Sequence, residues 1–214
     1  MTLIKINEIF FSIQGESTRM GLPTIFIRTS GCPLRCSYCD TQYAYYEGKF
    51  QDIDEIIDSI KSYQTQYVCI TGGEPLAQKG TLLLMKRLCD LGYLVSLETS
   101  GAKSIASVDP RVKIILDVKT PGSGEGHTFL MENLSCLRED TEIKFVIADQ
   151  NDVDWSIRFC EDNALFGKYV ILFSPSFGVI SPRWLAEQIL KKSLPIRLQI
   201  QLHKYIWNPS QRGV

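Results

Sequence analysis

The sequence predicts an α/β fold, an incomplete TIM-type barrel of about six parallel strands with few helices. Short apolar segments alternate with segments whose apolar residues recur at helical spacing, which is typical of parallel sheets with crossover helices. The chain has 214 residues, whereas a closed eightfold barrel typically needs about 250. We therefore expect an open barrel formed by a single domain, residues 1–214.

The predicted strands are short runs rich in β-branched residues, which pack well on a pleated surface. Most of them are followed by Gly, Ser or Thr, which are typical of turns. In chain order they are TIFIRTS (24–30), YVCIT (67–71), YLVSLE (93–98), VKIILD (112–117), EIKFVIA (142–148), KYVILF (168–173) and IRLQIQL (196–202).

The predicted helices lie between these strands, at residues 53–64, 81–92, 152–167 and 181–192. Isoleucines recur at helical spacing in the first of them, which predicts one buried face. Gly92 is expected to end the second, and Ser181 to cap the last. The connections after TSG (99–101) and after DVKT (117–120) are predicted to be loops.

The composition excludes several classes of protein. The chain is 44% hydrophobic and 22% charged, with a net charge of −1, so it can bury a core and has no basic excess for nucleic acid. No apolar run approaches the roughly 18 residues that a bilayer span needs. The N-terminal segment lacks the pattern of a signal peptide. We therefore expect a cytoplasmic protein with neither a nucleic acid nor a membrane as partner.

Three of the seven cysteines, Cys32, Cys36 and Cys39, lie within eight residues. An odd number of cysteines in a reducing compartment favours metal or redox chemistry over disulfides. A structural zinc site needs four ligands, and neither His127 nor His203 is near in sequence. A cubane iron–sulfur cluster held by three thiolates would leave one iron open. Spacing alone leaves both sites open. The other cysteines are predicted to be structural thiols.

Polar residues follow the predicted strands, where the carboxyl ends of a parallel sheet form one face. This face is predicted to hold the functional site. Its members would be the three clustered cysteines, Glu74, Glu98, Thr99, Ser100, Lys119, Ser174 and His203.

CPLRCSYC (32–39) has the Cys-x3-Cys-x2-Cys spacing, and GGEP (72–75) follows the next predicted strand. Together these motifs resemble the radical S-adenosylmethionine superfamily. Four further segments are FFSIQGES (10–17), FIRTSGC (26–32), CDT (39–41) and QLHKY (201–205). They narrow the resemblance to the 7-carboxy-7-deazaguanine synthase family, whose barrel is short. A zinc-stabilised binding module and an activator of glycyl-radical enzymes are the alternatives. The second of these would need neither the SIQGE segment nor Arg28.

The resemblance implies a [4Fe–4S] cluster whose open iron is chelated by S-adenosylmethionine. An electron donor such as flavodoxin or ferredoxin would reduce the cluster to generate a 5′-deoxyadenosyl radical. The implied reaction is the ring contraction of 6-carboxy-5,6,7,8-tetrahydropterin to 7-carboxy-7-deazaguanine with loss of ammonia, in queuosine and 7-deazapurine biosynthesis. The resemblance also implies Mg²⁺ and a homodimer. It implies no catalytic group other than the cluster and the cofactor radical.

The resemblance also assigns residues. Cys32, Cys36 and Cys39 would bind the cluster, and Thr41 would bind Mg²⁺. The cofactor residues would be Tyr38, Cys39, Asp40, Gly73, Glu74, Glu98, Thr99, Asp117, Val118, Lys119, Ser174, Pro175, Ser176 and Phe177. The substrate residues would be Ile13, Gln14, Gly15 and Glu16 in an N-terminal segment (8–17), then Arg28, Thr71 and, in a C-terminal tail (203–214), His203 and Pro209. Read alone, SIQGE is more typical of a polar hairpin turn than of a binding segment.

Overall fold

One open sheet of nine strands forms the frame of the fold in the computed structural model, which describes residues 2–214. The strands are β1 (Leu3–Ile13), β2 (Pro23–Thr29), β3 (Lys49–Asp52), β4 (Tyr67–Gly72), β5 (Leu94–Thr99), β6 (Lys113–Asp117), β7 (Glu142–Ile147), β8 (Val170–Pro175) and β9 (Ile196–Leu198). Their spatial order is β3-β1-β2-β4-β5-β6-β7-β8-β9. The strands from β2 to β9 run parallel, and β1 pairs antiparallel with both β2 and β3.

The helices are α1 (Ile53–Ile60), α2 (Gly80–Asp90), α3 (Gln150–Asp162), α4 (Pro182–Lys192) and the short α5 (His203–Ile206). The connections at 100–112 and 118–141 contain turns and 3₁₀ segments but no α-helix. The predicted open, helix-poor barrel is therefore confirmed. Within residues 2–214, no helix has the length and apolar character needed to cross a membrane.

The main core lies between the sheet and the helices α1 to α4, and it includes residues from every one of these elements. All the isoleucines of α1 are buried, as their spacing predicts. Asp52 caps this helix in a capping box with Glu55, and the Ser181 side chain accepts a hydrogen bond from the Trp184 N–H at the start of α4. These caps satisfy amide groups that a helix leaves unpaired.

The structure departs from the predicted strands at the two ends of the sheet. Neither β1 nor β3 was predicted from the sequence, and β1 places Glu8 opposite Arg28 on β2. The predicted strand at 196–202 is too long, since β9 ends at Leu198. Beyond it, the Gln199 and Leu202 amides donate to Phe173 O and Gly15 O, at 2.9 and 3.0 Å. The chain thereby turns away from the sheet edge and brings α5 over the segment at 13–16.

Candidate active site

A cavity of about 770 Å³ opens at the carboxyl ends of the parallel strands, where ligands bind in open α/β sheets. Its size suits a small molecule together with a cofactor. Its walls come from the cysteine loop and from segments distant in sequence: residues 13–16, 71–73, 98–100, 176–177 and 209–214, together with Arg28, Asp117, Lys119, Lys144, Gln201, His203 and Lys204.

The three clustered cysteines are free, half-buried thiols that line this cavity. Backbone hydrogen bonds hold the loop in place: the Cys39 N–H donates to Cys36 O at 3.1 Å, and the Ser37 N–H donates to Ser123 O at 2.9 Å. At the start of the loop, the Glu74 N–H donates to Gly31 O at 2.8 Å. The loop is therefore fixed against the turns that follow β4 and β6.

The donor set fits an iron–sulfur cluster better than a single metal ion. Three thiols face one cavity, but in the described part of the chain no three Cys, His, Asp or Glu side chains are grouped to hold one ion. Burial raises the pKa of Cys36 to about 11 and also raises the pKa of Cys32. Both are thus protonated before iron binds, and ligation must displace their protons. Three thiolates leave one iron of a cubane open to an exogenous ligand.

The GGEP turn packs directly against the cysteine loop. The Gly73 N–H donates to Thr29 O at 3.0 Å, and a Cβ added at Gly73 would lie 2.1 Å from Gly31 O. Only glycine allows this close approach. The Glu74 side chain is buried beneath the turn, where it accepts hydrogen bonds from Thr99 Oγ1 at 2.7 Å and from the Ser100 N–H at 2.8 Å. Glu74 therefore braces the turn from outside the cavity.

One side of the cavity carries a buried ionic group formed by the end of β6, the residues after it and the middle of β7. Asp117 pairs with Lys119 at 3.1 Å and with Lys144 at 3.5 Å. Burial opposes the charge of Asp117, but the two ammonium groups outweigh it and hold the pKa of this carboxyl below its usual range. Within residues 2–214, Asp117 Oδ1 has no hydrogen-bond partner. A buried, ionised oxygen without a partner fits a site that receives a polar ligand.

A second side of the cavity, next to the first, is formed by residues 13–16 and by Arg28. The Glu16 carboxylate pairs with Lys144 and accepts a hydrogen bond from Gln201 Nε2 at 2.9 Å. Gln14 is buried, and its Nε2 has no partner among residues 2–214. Arg28 Nε pairs with Glu8 Oε1 at 2.7 Å, while its terminal nitrogens have no hydrogen-bond acceptor in the described chain. This side therefore offers donors to a ligand beside one buried carboxylate.

Glu98 lies on β5 and lines the same cavity, but its pKa is shifted in the opposite direction to that of Glu16. Burial and the nearby Glu16 charge raise the pKa of Glu98. Burial also opposes the charge of Glu16, but the Lys144 ammonium outweighs it and lowers the pKa of Glu16. Thr71 Oγ1 donates to Glu98 Oε2 at 3.0 Å. Two neighbouring carboxyl groups therefore differ in their readiness to ionise, as expected at a functional site.

Comparison with known proteins identifies the family. The family model of the radical SAM superfamily matches residues 26–119. A relative from Chlorobaculum tepidum named 7-carboxy-7-deazaguanine synthase is 44% identical over 99% of this chain and 97% of its own length. A relative of the same name from Koribacter versatilis is 40% identical over 99% of this chain and 100% of its own. This chain belongs to the 7-carboxy-7-deazaguanine synthase family.

One solved structure supports this assignment, and another shares the fold. The crystal structure of QueE from Escherichia coli has a TM-score of 0.76 and 25% identity, covering 94% of this chain and 95% of that one. Streptococcus suis SuiB bound to its precursor peptide SuiA has a TM-score of 0.56 over 82% of this chain and 47% of that one. At 13% identity, the second likeness concerns the fold alone.

As a member of the 7-carboxy-7-deazaguanine synthases, the chain is a radical S-adenosylmethionine lyase. Its cofactors are a [4Fe–4S] cluster and S-adenosylmethionine, and its substrate is a small molecule. The zinc-stabilised module and the activator of glycyl-radical enzymes, both left as alternatives by the sequence, do not describe this enzyme.

Most of the residues that the family resemblance singled out lie around the one cavity. Those lining it are Ile13, Gln14, Gly15, Glu16, Arg28, Cys32, Cys36, Tyr38, Cys39, Asp40, Thr41, Thr71, Gly73, Glu98, Thr99, Asp117, Lys119, Ser176, Phe177, His203 and Pro209. Four others are not among the lining residues: Glu74, Val118, Ser174 and Pro175. Val118 and Ser174 are buried, so any contribution to cofactor binding would come through their backbone or their packing.

Several polar residues that line this enzyme's cavity, or pair with a residue that lines it, were not predicted from the sequence. Glu8 pairs with Arg28 and accepts a hydrogen bond from Tyr43 OH at 3.0 Å. Arg212 lies over the Tyr43 ring, 3.7 Å from its centroid. The others are Lys144, Gln201 and Lys204. A lysine inside the apolar strand EIKFVI was the one available signal for Lys144, whereas Glu8 required recognition of β1.

Proposed function

We propose that this enzyme converts 6-carboxy-5,6,7,8-tetrahydropterin to 7-carboxy-7-deazaguanine with release of ammonia, in queuosine and 7-deazapurine biosynthesis. The observation that carries the proposal is the arrangement of the cavity. It joins the cysteine loop to a wall that holds an arginine with free terminal nitrogens, an unpaired amide and an ionised carboxylate. The printed name of the relatives, at up to 44% identity, supports the same reaction.

The protein binds, orients and encloses the reactants. Cys32, Cys36 and Cys39 would hold the cluster, which together with S-adenosylmethionine would supply radical hydrogen-atom abstraction. Lys119, half-buried at the cavity wall and paired with Asp117, is placed to receive the cofactor carboxylate. The turn at Gly73 presents backbone atoms at close range, as a bound amino group would require.

The substrate is held on the other wall. The terminal nitrogens of Arg28 form a fork that matches the substrate carboxylate. Gln14 and Glu16 present a donor and an acceptor to the pterin edge, which itself carries both kinds of group. The His203 side chain packs directly against Gly15, since a Cβ added at Gly15 would lie 2.0 Å from His203 Nδ1. Gly15 and His203 therefore form one continuous surface beside the substrate.

Thr41 is the proposed protein ligand for Mg²⁺. Its hydroxyl lies 3.7 Å from Cys39 Sγ, at the end of the cysteine loop, and it lines the cavity. The neighbouring Asp40 is occupied by Lys204 at 2.6 Å. Mg²⁺ binds through few protein oxygens and retains water, so one hydroxyl together with substrate oxygens suits it.

The remaining expectations are part of the same proposal. We infer a single domain whose segments at 8–17 and 203–214 close the substrate side, a homodimer, and reduction by flavodoxin or ferredoxin in the cytoplasm. Residues 210–214 also line the cavity, with Arg212 paired to Glu47 at 2.9 Å. This arrangement supports a role for residues 203–214 beyond Pro209.

Turnover of the pterin tests the reaction. The anaerobically reconstituted enzyme is incubated with 6-carboxy-5,6,7,8-tetrahydropterin, S-adenosylmethionine, Mg²⁺ and a reductant, and products are followed by chromatography and mass spectrometry. We expect 7-carboxy-7-deazaguanine and ammonia in equal amounts. Formation of 5′-deoxyadenosine with another substrate, and no deazapurine from this one, would refute the proposal.

Arg28→Lys is expected to weaken substrate binding without loss of the cluster. Lysine keeps the positive charge but loses the planar fork that binds a carboxylate through two hydrogen bonds. Charge-assisted hydrogen bonds contribute about 1.5–3 kcal/mol each, so we expect the KM for the pterin to rise by about tenfold or more. Iron content and S-adenosylmethionine affinity serve as internal controls. An unchanged KM would contradict the assigned role of Arg28.

A further inference from the structure

Lys144 contacts both sides of the cavity. It lies on β7, directly across from Asp117 on β6 in the strand register. Its ammonium pairs with Asp117 at 3.5 Å on the cofactor side and with Glu16 on the substrate side. The residue is 6% exposed, so water solvates its ammonium group only slightly. Such a buried cation is retained only when its partners compensate for lost hydration.

Glu16 depends on this lysine more than Asp117 does. Asp117 has a second ammonium partner, Lys119, at 3.1 Å. For Glu16, Lys144 supplies the only ion pair found with a lysine or arginine in the described chain, and Gln201 adds a neutral hydrogen bond. Loss of Lys144 would therefore leave Glu16 as a buried carboxylate without a cation, whereas Asp117 would stay paired.

We infer that Lys144 is a positioning residue for the substrate, whose ammonium keeps the Glu16 carboxylate ionised and fixed in the cavity wall. Among the motifs recognised in the sequence, Gln201 adds a hydrogen bond to Glu16 but no formal charge. The inference rests on the proposed function, in which Glu16 binds the pterin edge by hydrogen bonds. An ionised carboxylate accepts hydrogen bonds from ring N–H and amino groups, whereas a protonated one donates in part. Lys144 would thus select a substrate edge rich in donors.

The charge state of Glu16 is set by several groups besides Lys144. Burial opposes its ionised form, and in the native protein the ammonium outweighs that effect and lowers the pKa of Glu16. Without the ammonium, burial would raise the pKa of Glu16 instead. The other titratable or charged groups around the Glu16–Lys144 pair are Asp40, Glu98, Asp117, Lys119, Arg28 and His203.

Steady-state kinetics on the reconstituted enzyme test the inference through Lys144→Met. We expect the KM for the pterin to be flat between about pH 6 and 8 in the native enzyme. In the variant it should rise by about tenfold for each pH unit below the raised pKa of Glu16. Lys144→Arg keeps the charge and should retain the flat profile. A Lys144→Met enzyme with an unchanged KM and a flat profile would overturn the inference.

Lys113→Met is the matched control. Lys113 is also a strand lysine paired with a buried carboxylate, Glu142, at 2.9 Å, but it does not line the cavity. A merely structural ion pair predicts the same outcome for both lysines, namely lower stability with an unchanged pH profile. We expect that outcome for Lys113→Met only. A pH-dependent KM in both variants would overturn the specific role of Lys144.

Thermal unfolding gives a readout that needs no turnover. In Lys144→Met the folded protein should hold a proton on Glu16 that the unfolded chain releases, so stability falls as pH rises from about 5 to 8. The double variant Lys144→Met with Glu16→Gln should lose this slope, and it should fold even if the single variant does not. Parallel pH curves for the single and double variants would overturn the inference. Failure of the native enzyme to convert the pterin would instead refute the proposed reaction, and the unfolding data would still decide the role of Lys144.

Discussion

Cys36→Ser is expected to abolish turnover. Serine keeps the shape of the side chain but ligates iron poorly at neutral pH, since its hydroxyl loses its proton far less readily than a thiol. With only three thiols in the cavity, a cluster held by two would not persist. We expect the iron content after reconstitution to fall from about four atoms per chain to near background, with loss of the visible absorption.

Cys136→Ser is the matched control for that change. Cys136 is also a half-buried free thiol, but it lies in the 3₁₀ segment Met131–Cys136 and does not line the cavity. Its variant should retain full iron content and turnover. Equal iron content in the Cys36 and Cys136 variants would contradict the assignment of the cluster to the cysteine loop.

Gly73→Ala is expected to have the second-largest effect. The added Cβ would lie 2.1 Å from Gly31 O and 2.6 Å from Gly31 C. Both are backbone atoms at the entry to the cysteine loop, so neither can move without displacing Cys32. Overpacking typically costs about 1–3 kcal/mol, and a clash with fixed backbone belongs at the upper end of that range. We expect the affinity for S-adenosylmethionine to fall by about 100-fold, which corresponds to about 2.7 kcal/mol.

The measurement for Gly73→Ala is equilibrium binding of S-adenosylmethionine to the reconstituted protein, with iron content determined in parallel. Gly92→Ala provides the control. Gly92 has a φ of +88° with nothing within 4 Å of an added Cβ, so alanine there costs only about 1–2 kcal/mol of backbone strain. That variant should be less stable but bind the cofactor normally. Native affinity in Gly73→Ala would show that the two loops are not packed as the structure has them.

The parallel part of the sheet could be predicted from the sequence because most of its strands are short, apolar and followed by turn residues. In a buried parallel sheet both faces of a strand are covered, so an apolar run such as YVCITG (67–72) carries the signal by itself. The antiparallel β1 carries a weaker signal. Its burial alternates only in part along LIKINEIFFSI, and its place in the sheet depends on pairing with β2 and β3.

The cysteine spacing and the GGEP turn carried the family resemblance that implied the chemistry, because each motif is a short continuous segment of the chain. The charge pattern of the cavity is not local. Lys144 meets Glu16 and Asp117 across distances in sequence that only the completed sheet brings together. Glu8 reaches Arg28 through the register of β1 on β2.

The sequence by itself determined the open parallel fold, the three-thiol loop and the family. The tertiary structure decided which polar side chains face the cavity and which, as Glu74 does, support it from outside. It also decided which charges compensate one another. The physical reason is that strand formation and ligand spacing depend on neighbours in the chain, whereas burial and ion pairing depend on neighbours in space.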